Sequence, residues 1–353
     1  MRKIFYIILL MICTFVISDI ALAKCNQPKI FLYFESFPKN KLATHTMALK
    51  KYKSILTSSK IAGAQVRYSW RELEPKKGVY NFTRIQNDLK YLTSIHKKLV
   101  VQLQYNSFMP RAINVPVYIV KDSQYHGGVA PQVDSAGGIK KNISEGWVAR
   151  TWDPAVAIRL HLLFKALANK FDGKVYAVNL PETAIDVTVG KHAPLGFTPE
   201  KYFNAVINNM RVLKQSFSKS LVIQYVNFFP GEWLPWTDKH FMSRIFAYAK
   251  EYHIGLGGPD VAPYRKGQMQ NSYKYFHRYK GKLTAVAIAV QSGDYLYTNP
   301  KTKQKYTTKD FVSFAVNYLG VDHLFWTVQE PFFSKKFIPA IKKNFCLSMF
   351  EQR

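Results

Sequence analysis

"DPAVAIRLHLLFKALANKFDGKVYAVNLPE", residues 153–182, contains the unit from which the fold can be read. Asp153 is a side-chain acceptor suited to capping a helix, and Pro154, with no N–H to lose, suits the first helical position. Apolar residues then recur at helical spacing as far as Phe171. Beyond them the pattern changes to the nearly continuous apolar run of a buried strand, which ends in Pro181 and Glu182.

The same change repeats along the chain. Runs rich in Val, Ile, Leu and aromatic residues occupy 29–35, 63–70, 98–105, 174–182, 221–228, 254–260, 283–291 and 323–330, eight in all. Segments of helical spacing lie between them. Eightfold strand-helix alternation over this length predicts an α/β fold, a single (β/α)8 TIM barrel spanning residues 24–353. A doubly wound sheet is the alternative, but no Gly-rich phosphate loop follows the first strand. The longest excursion, about residues 106–152 with "HGGVAPQVDSAGG", is expected to cover a site.

The chain opens with Arg2 and Lys3, an apolar run and the small-x-small Ala21-Leu22-Ala23. That is the pattern of a signal peptide over residues 1–23, cleaved after Ala23, and predicts a secreted or periplasmic product. No later stretch is long enough to span a membrane, so the mature protein is expected to lack a transmembrane segment. Cleavage removes Cys13 and leaves Cys25 and Cys346, an exported pair expected to form a disulfide. It also leaves 48 basic against 21 acidic residues, a net charge of +27. Such an excess suits an acidic partner, an acidic glycan among them, or simply solvates the surface. No helix-turn-helix, zinc or RNA-recognition motif points to nucleic acid.

In a barrel the chemistry lies at the C-terminal ends of the strands. Glu35, Arg67, Trp70, Gln104, Tyr105 and Glu182 end or follow the first four runs; Tyr225, Asn227, Asp260, Gln291, Asp294, Trp326 and Glu330 belong to the others. Carboxylates, amides and flat rings at one rim suit a sugar, whose C–H faces stack on aromatics and whose hydroxyls bond to amides. Glycoside hydrolysis needs a carboxylic acid and a second carboxylate. Glu182 is the candidate acid, because its apolar strand raises a carboxyl pKa. Asp260, Asp294 and Glu330, in that order, are its candidate partners. The glycines before Asp260 would let a ligand approach the backbone. The histidines are too scattered for a metal site, no nucleophile elbow surrounds a serine, and no cofactor is implied. A monomer is expected.

"WRELEPKKGVYNF", with Trp70, Glu74, Pro75, Gly78, Tyr80 and Phe82, resembles the second-strand passage of clan A (β/α)8 glycoside hydrolases, of the family 42, 5 and 10 kind. The resemblance is specific over about residues 60–105 and implies a carbohydrate substrate, with Glu182 as acid/base beside Arg67 and with Trp326 on the eighth strand. Two positions depart from the family. Pro181 stands where an asparagine precedes the acid/base, unless Asn179 or Asn227 replaces that amide. Gln291 occupies the strand-seven nucleophile position and cannot form a glycosyl ester. A glycan-binding protein on an inactive glycosidase scaffold is therefore the alternative function.

Overall fold

The computed structural model describes residues 27–35, 45–133 and 144–343. The expected leader, its cleavage site, and both cysteines of the expected disulfide lie outside them. The strands are β1 (Lys29–Phe34), β2 (Ile61–Ser69), β3 (Lys98–Gln104), β4 (Val129–Val133), β5 (Ser144–Ala149), β6 (Ala177–Leu180), β7 (Leu221–Tyr225), β8 (Gly255–Gly258), β9 (Val286–Val290) and β10 (His323–Thr327). Eight of them, all except β4 and β5, close a parallel barrel in chain order, β10 pairing back onto β1. These eight fall on the eight apolar runs, and the single (β/α)8 barrel is the observed fold.

Helical crossovers enforce the parallel arrangement. Helix Pro154–Phe171 is typical: Asp153 accepts from the Ala155 N–H at 2.9 Å, a cap worth about 1 kcal/mol. Val156, Leu160, Leu163, Phe164, Leu167 and Phe171 form its buried stripe, each large apolar side chain contributing roughly 1.5–3 kcal/mol. Arg159 on this helix reaches across to Glu74, just beyond β2.

Each barrel strand is buried on both faces, so strand parity decides which core a residue joins. Phe31, Tyr33, Val100, Ala177, Ile223, Tyr225, Ala287, Ala289 and Phe325 fill the inside of the barrel. Their strand neighbours, such as Val178, Leu256, Ile288 and Trp326, pack outward against the helices. On β8 Gly257 is required by packing, whereas a Cβ on Gly258 would meet nothing closer than 3.8 Å. A Cβ on Gly257 would stand 1.8 Å from the Ala287 carbonyl oxygen and 3.0 Å from the Tyr225 ring.

The excursion after β3 is more ordered than a loop. It carries helix Val117–Lys121 and the antiparallel pair β4–β5. It docks on the segment beyond β6: the Val133 N–H donates to the Asp186 carbonyl at 2.7 Å, and the Asp186 N–H to the Gln132 side-chain oxygen at 2.9 Å. The excursion thus flanks the strand end that bears Glu182.

Candidate active site

The β6 ladder stops at Leu180, since Pro181 has no N–H to continue it. The chain beyond Leu180 is pinned from β7. The Gln224 side chain donates to the Pro181 carbonyl, the Asn227 N–H donates to the Thr183 hydroxyl at 3.2 Å, and the Ala184 N–H donates to Asn227 Oδ1 at 3.0 Å. Within this frame Asn227 Nδ2 donates to Glu182 Oε2 at 2.5 Å. Asn227 is thus an amide on the acid itself, whereas Asn179 turns its Nδ2 to the Leu180 carbonyl.

Three of the four candidate carboxylates are electrostatic neighbours. Burial, then the charge of Asp260, raises Glu182 from 4.5 to about 8, against a smaller downward pull from the Asn227 bond. Glu182 keeps part of its surface open although protein crowds it closely. Burial raises Asp260 from 3.8 to about 6, opposed by the charge of Arg265. Asp294 is buried and held well above the ordinary carboxyl range, by desolvation first and Asp260 second. Its Oδ2 accepts from the Gln291 N–H at 2.9 Å and the Val261 N–H at 3.1 Å. Asp294 therefore ties the exits of β8 and β9 together and fixes the backbone next to Asp260.

Tyr225 stands inside the barrel beneath this group: Gln65 Nε2 donates to its hydroxyl at 3.1 Å, and the charges of Glu182 and Asp260 both act on it. Arg67 acts on Tyr33, as do Glu35 and Glu182, so it belongs to the same end of the barrel. Glu35 itself accepts from Gln329. Gln291 donates through Nε2 to the Pro259 carbonyl at 2.9 Å, beside Asp260. Gln104, Gln102 and Asn179 each hold a buried side-chain oxygen with no hydrogen-bond partner, and Gln102 pairs in register with Asn179 across β3 and β6.

Other expected residues lie elsewhere. Trp326 is buried outside the barrel, stacked on Phe337 at 4.7 Å, because its neighbour Phe325 takes the inward face. Trp70 is fully buried and donates through Nε1 to Glu74 at 2.8 Å. Tyr105 packs in the outer core, where burial raises its phenol. Glu330 is exposed and accepts from the Ser334 N–H and hydroxyl, a local cap. None of these four joins the carboxylate group.

The rim instead carries residues that the sequence reading passed over. Trp233 and Trp236, 49% and 63% exposed, stand on the loop after β7, Trp233 stacked on Phe228 at 5.4 Å. Lys266 lies over Trp236 at 5.7 Å, and Arg265 over Tyr297 at 4.6 Å. The signal was present in "NFFPGEWLPWTDKH", since tryptophans among Pro and Gly in a strand-end loop have no regular core to enter. Among the described residues no three His, Cys, Asp or Glu side chains converge as a metal site, and no helix is long and apolar enough to cross a membrane.

No protein-family model and no curated protein matches the chain. Solved structures do. The catalytic domain of beta-amylase from Paenibacillus polymyxa aligns with a TM-score of 0.58 at 7% identity, over 86% of this chain and 93% of that one. A crystal structure of a glycoside hydrolase aligns at 0.50 and 10% identity, over 85% and 88%. At such identities the likeness is one of fold, the (β/α)8 barrel.

Proposed function

We propose that the chain is an exported glycoside hydrolase acting on a poly- or oligosaccharide, with Glu182 as general acid and Asp260 as its carboxylate partner. The observation that carries this reading is the separation of two neighbouring carboxyl groups, one raised to about 8 and the other to about 6. Near neutral pH that leaves a protonated acid beside an ionised carboxylate, the pairing that glycoside hydrolysis requires. Glu182 would give its proton to the leaving oxygen while Asp260 attacks the sugar or activates water. The tryptophans of the rim supply stacking faces. Export rests on the pattern of residues 1–23.

The pair sets an expected pH profile. Activity needs Asp260 ionised and Glu182 protonated, so kcat/KM should be bell-shaped, its acid limb near 6 and its alkaline limb near 8. The Asn227 bond favours the ionised form of Glu182. Asn227→Ala should therefore move the alkaline limb to higher pH, and an unmoved limb would detach that limb from Glu182.

Gln291 at the strand-seven end favours a second reading, a glycan-binding protein that has lost turnover. Incubating the mature protein with neutral and acidic oligosaccharides, read for both binding and cleavage, separates the two. Cleavage products establish the hydrolase, and binding without products establishes the binder. Neither binding nor cleavage across the panel overturns both.

A further inference from the structure

At the opposite end of the barrel, where the strands begin, a cavity of about 910 Å³ is lined by Lys29, Lys97, Lys98, Lys174 and Lys219, with Asp322 the one acidic lining residue among those described. The N-terminal face of such barrels ordinarily serves stability. Gathering like charges there works against folding, which asks what offsets them.

Two of the lysines are bound to backbone. Lys97 Nζ donates to the Ser58 and Ile61 carbonyls at 2.9 and 2.6 Å, and Lys174 Nζ to the Lys170 carbonyl at 2.9 Å. The other three are exposed. Lys29 Nζ donates to the Tyr176 hydroxyl at 3.0 Å, and Lys98 Nζ stands 4.7 Å from the centre of the same ring.

The cavity's one acid is already engaged. Asp322 accepts from the Val286 N–H at 3.0 Å and faces His323 Nδ1, while His323 Nε2 lies 2.6 Å from the Tyr176 hydroxyl. With a neutral imidazole the donors and acceptors fall in a simple order. Nδ1–H donates to Asp322, the Tyr176 hydroxyl donates to Nε2, and the phenol oxygen is left to accept from Lys29. No ion pair joins Lys29, Lys98 or Lys219 to a carboxylate among the described residues.

We propose that this basal cavity is a second ligand site, for a compact polyanion bearing phosphate groups. Lysine ammoniums are compact charges without the fixed fork of arginine, and they suit tetrahedral oxyanions approached from several directions. Three exposed lysines around one cavity suit a ligand with more than one anionic group. Tyr176 and its His323–Asp322 support form the floor against which Lys29 and Lys98 are held. The site is independent of the cleft chemistry.

Calorimetric titration of the mature protein with tripolyphosphate tests it. Lys29→Gln/Lys98→Gln should weaken binding by about tenfold or more. Lys121→Gln/Lys250→Gln, which removes two exposed charges elsewhere, and Glu182→Gln in the cleft should leave binding in place. Equal losses in the two lysine pairs, or no loss in the first, overturn the site in favour of diffuse surface charge. Phosphatidylcholine vesicles containing phosphatidic acid identify the source. Loss of vesicle binding in the first pair alone assigns a lipid headgroup, and loss confined to tripolyphosphate assigns a soluble ligand.

Discussion

Glu182→Gln is expected to lower glycoside turnover by about 10²–10⁴-fold, the usual worth of general acid catalysis, while fold and ligand binding persist. The amide keeps the shape and can still meet Asn227 but has no proton to give. Substrates with good leaving groups, which need less protonation, should lose less than natural glycosides. The same substitution has a signature in stability. A carboxyl whose folded pKa is raised from 4.5 to about 8 contributes stability that is fully present below pH 4.5 and lost as pH rises through 8. The amide does not ionise, so the variant should melt above wild type in alkaline buffer and match it in acid. Wild-type turnover in the variant would remove Glu182 from the chemistry. Lost turnover without the alkaline gain in stability would mean that the carboxyl is not desolvated as the cleft requires.

The sequence carried the barrel well because eight apolar runs separated by amphipathic segments have few ways to close. Glu182, Asp260 and Asp294 stand out in it as carboxylates at or just beyond the ends of apolar runs. It did not carry the direction of side chains. Strands buried on both faces lack the polar alternation that marks inside from outside, and a shift of one residue reverses the face. Strand position, ring chemistry and the family resemblance all point Trp326 and Trp70 to the rim, yet both pack in the outer core. Glu330 fell to local chemistry: Ser334, one helical turn on, takes it as a cap. The role of Asn227 was open because only the folded backbone shows which amide reaches Glu182.

Glu74→Ala is expected to cost about 3–5 kcal/mol of unfolding free energy, the loss typical when one partner of a buried ion pair is removed. Glu74 is the most buried charged member of the "WRELEPKKGVYNF" passage and is wholly enclosed. Its carboxylate accepts from Trp70 Nε1 at 2.8 Å, the Gly78 N–H at 3.0 Å and the Tyr118 hydroxyl at 2.9 Å, and it pairs with Arg159. Gly78 delivers its N–H from a turn at φ +75°, a conformation that glycine adopts without strain. Tyr118 belongs to the excursion and Arg159 to helix Pro154–Phe171, so one carboxylate joins the second strand's exit, the helix after β5 and the excursion that flanks Glu182. Removing it strands the Arg159 guanidinium, only 12% exposed, and leaves the Trp70 and Tyr118 donors unpaired. Urea unfolding measures the cost, and the double variant Glu74→Ala/Arg159→Met should recover part of it, since the uncompensated cation is gone. Additive losses would deny that the two side chains act as a pair. Because Glu74 makes no contact with the carboxylate group, the pH optimum of any glycoside turnover by the folded protein should not move. Turnover abolished at unchanged stability would instead put this motif in the catalytic machinery rather than in the clamp that holds the excursion beside it.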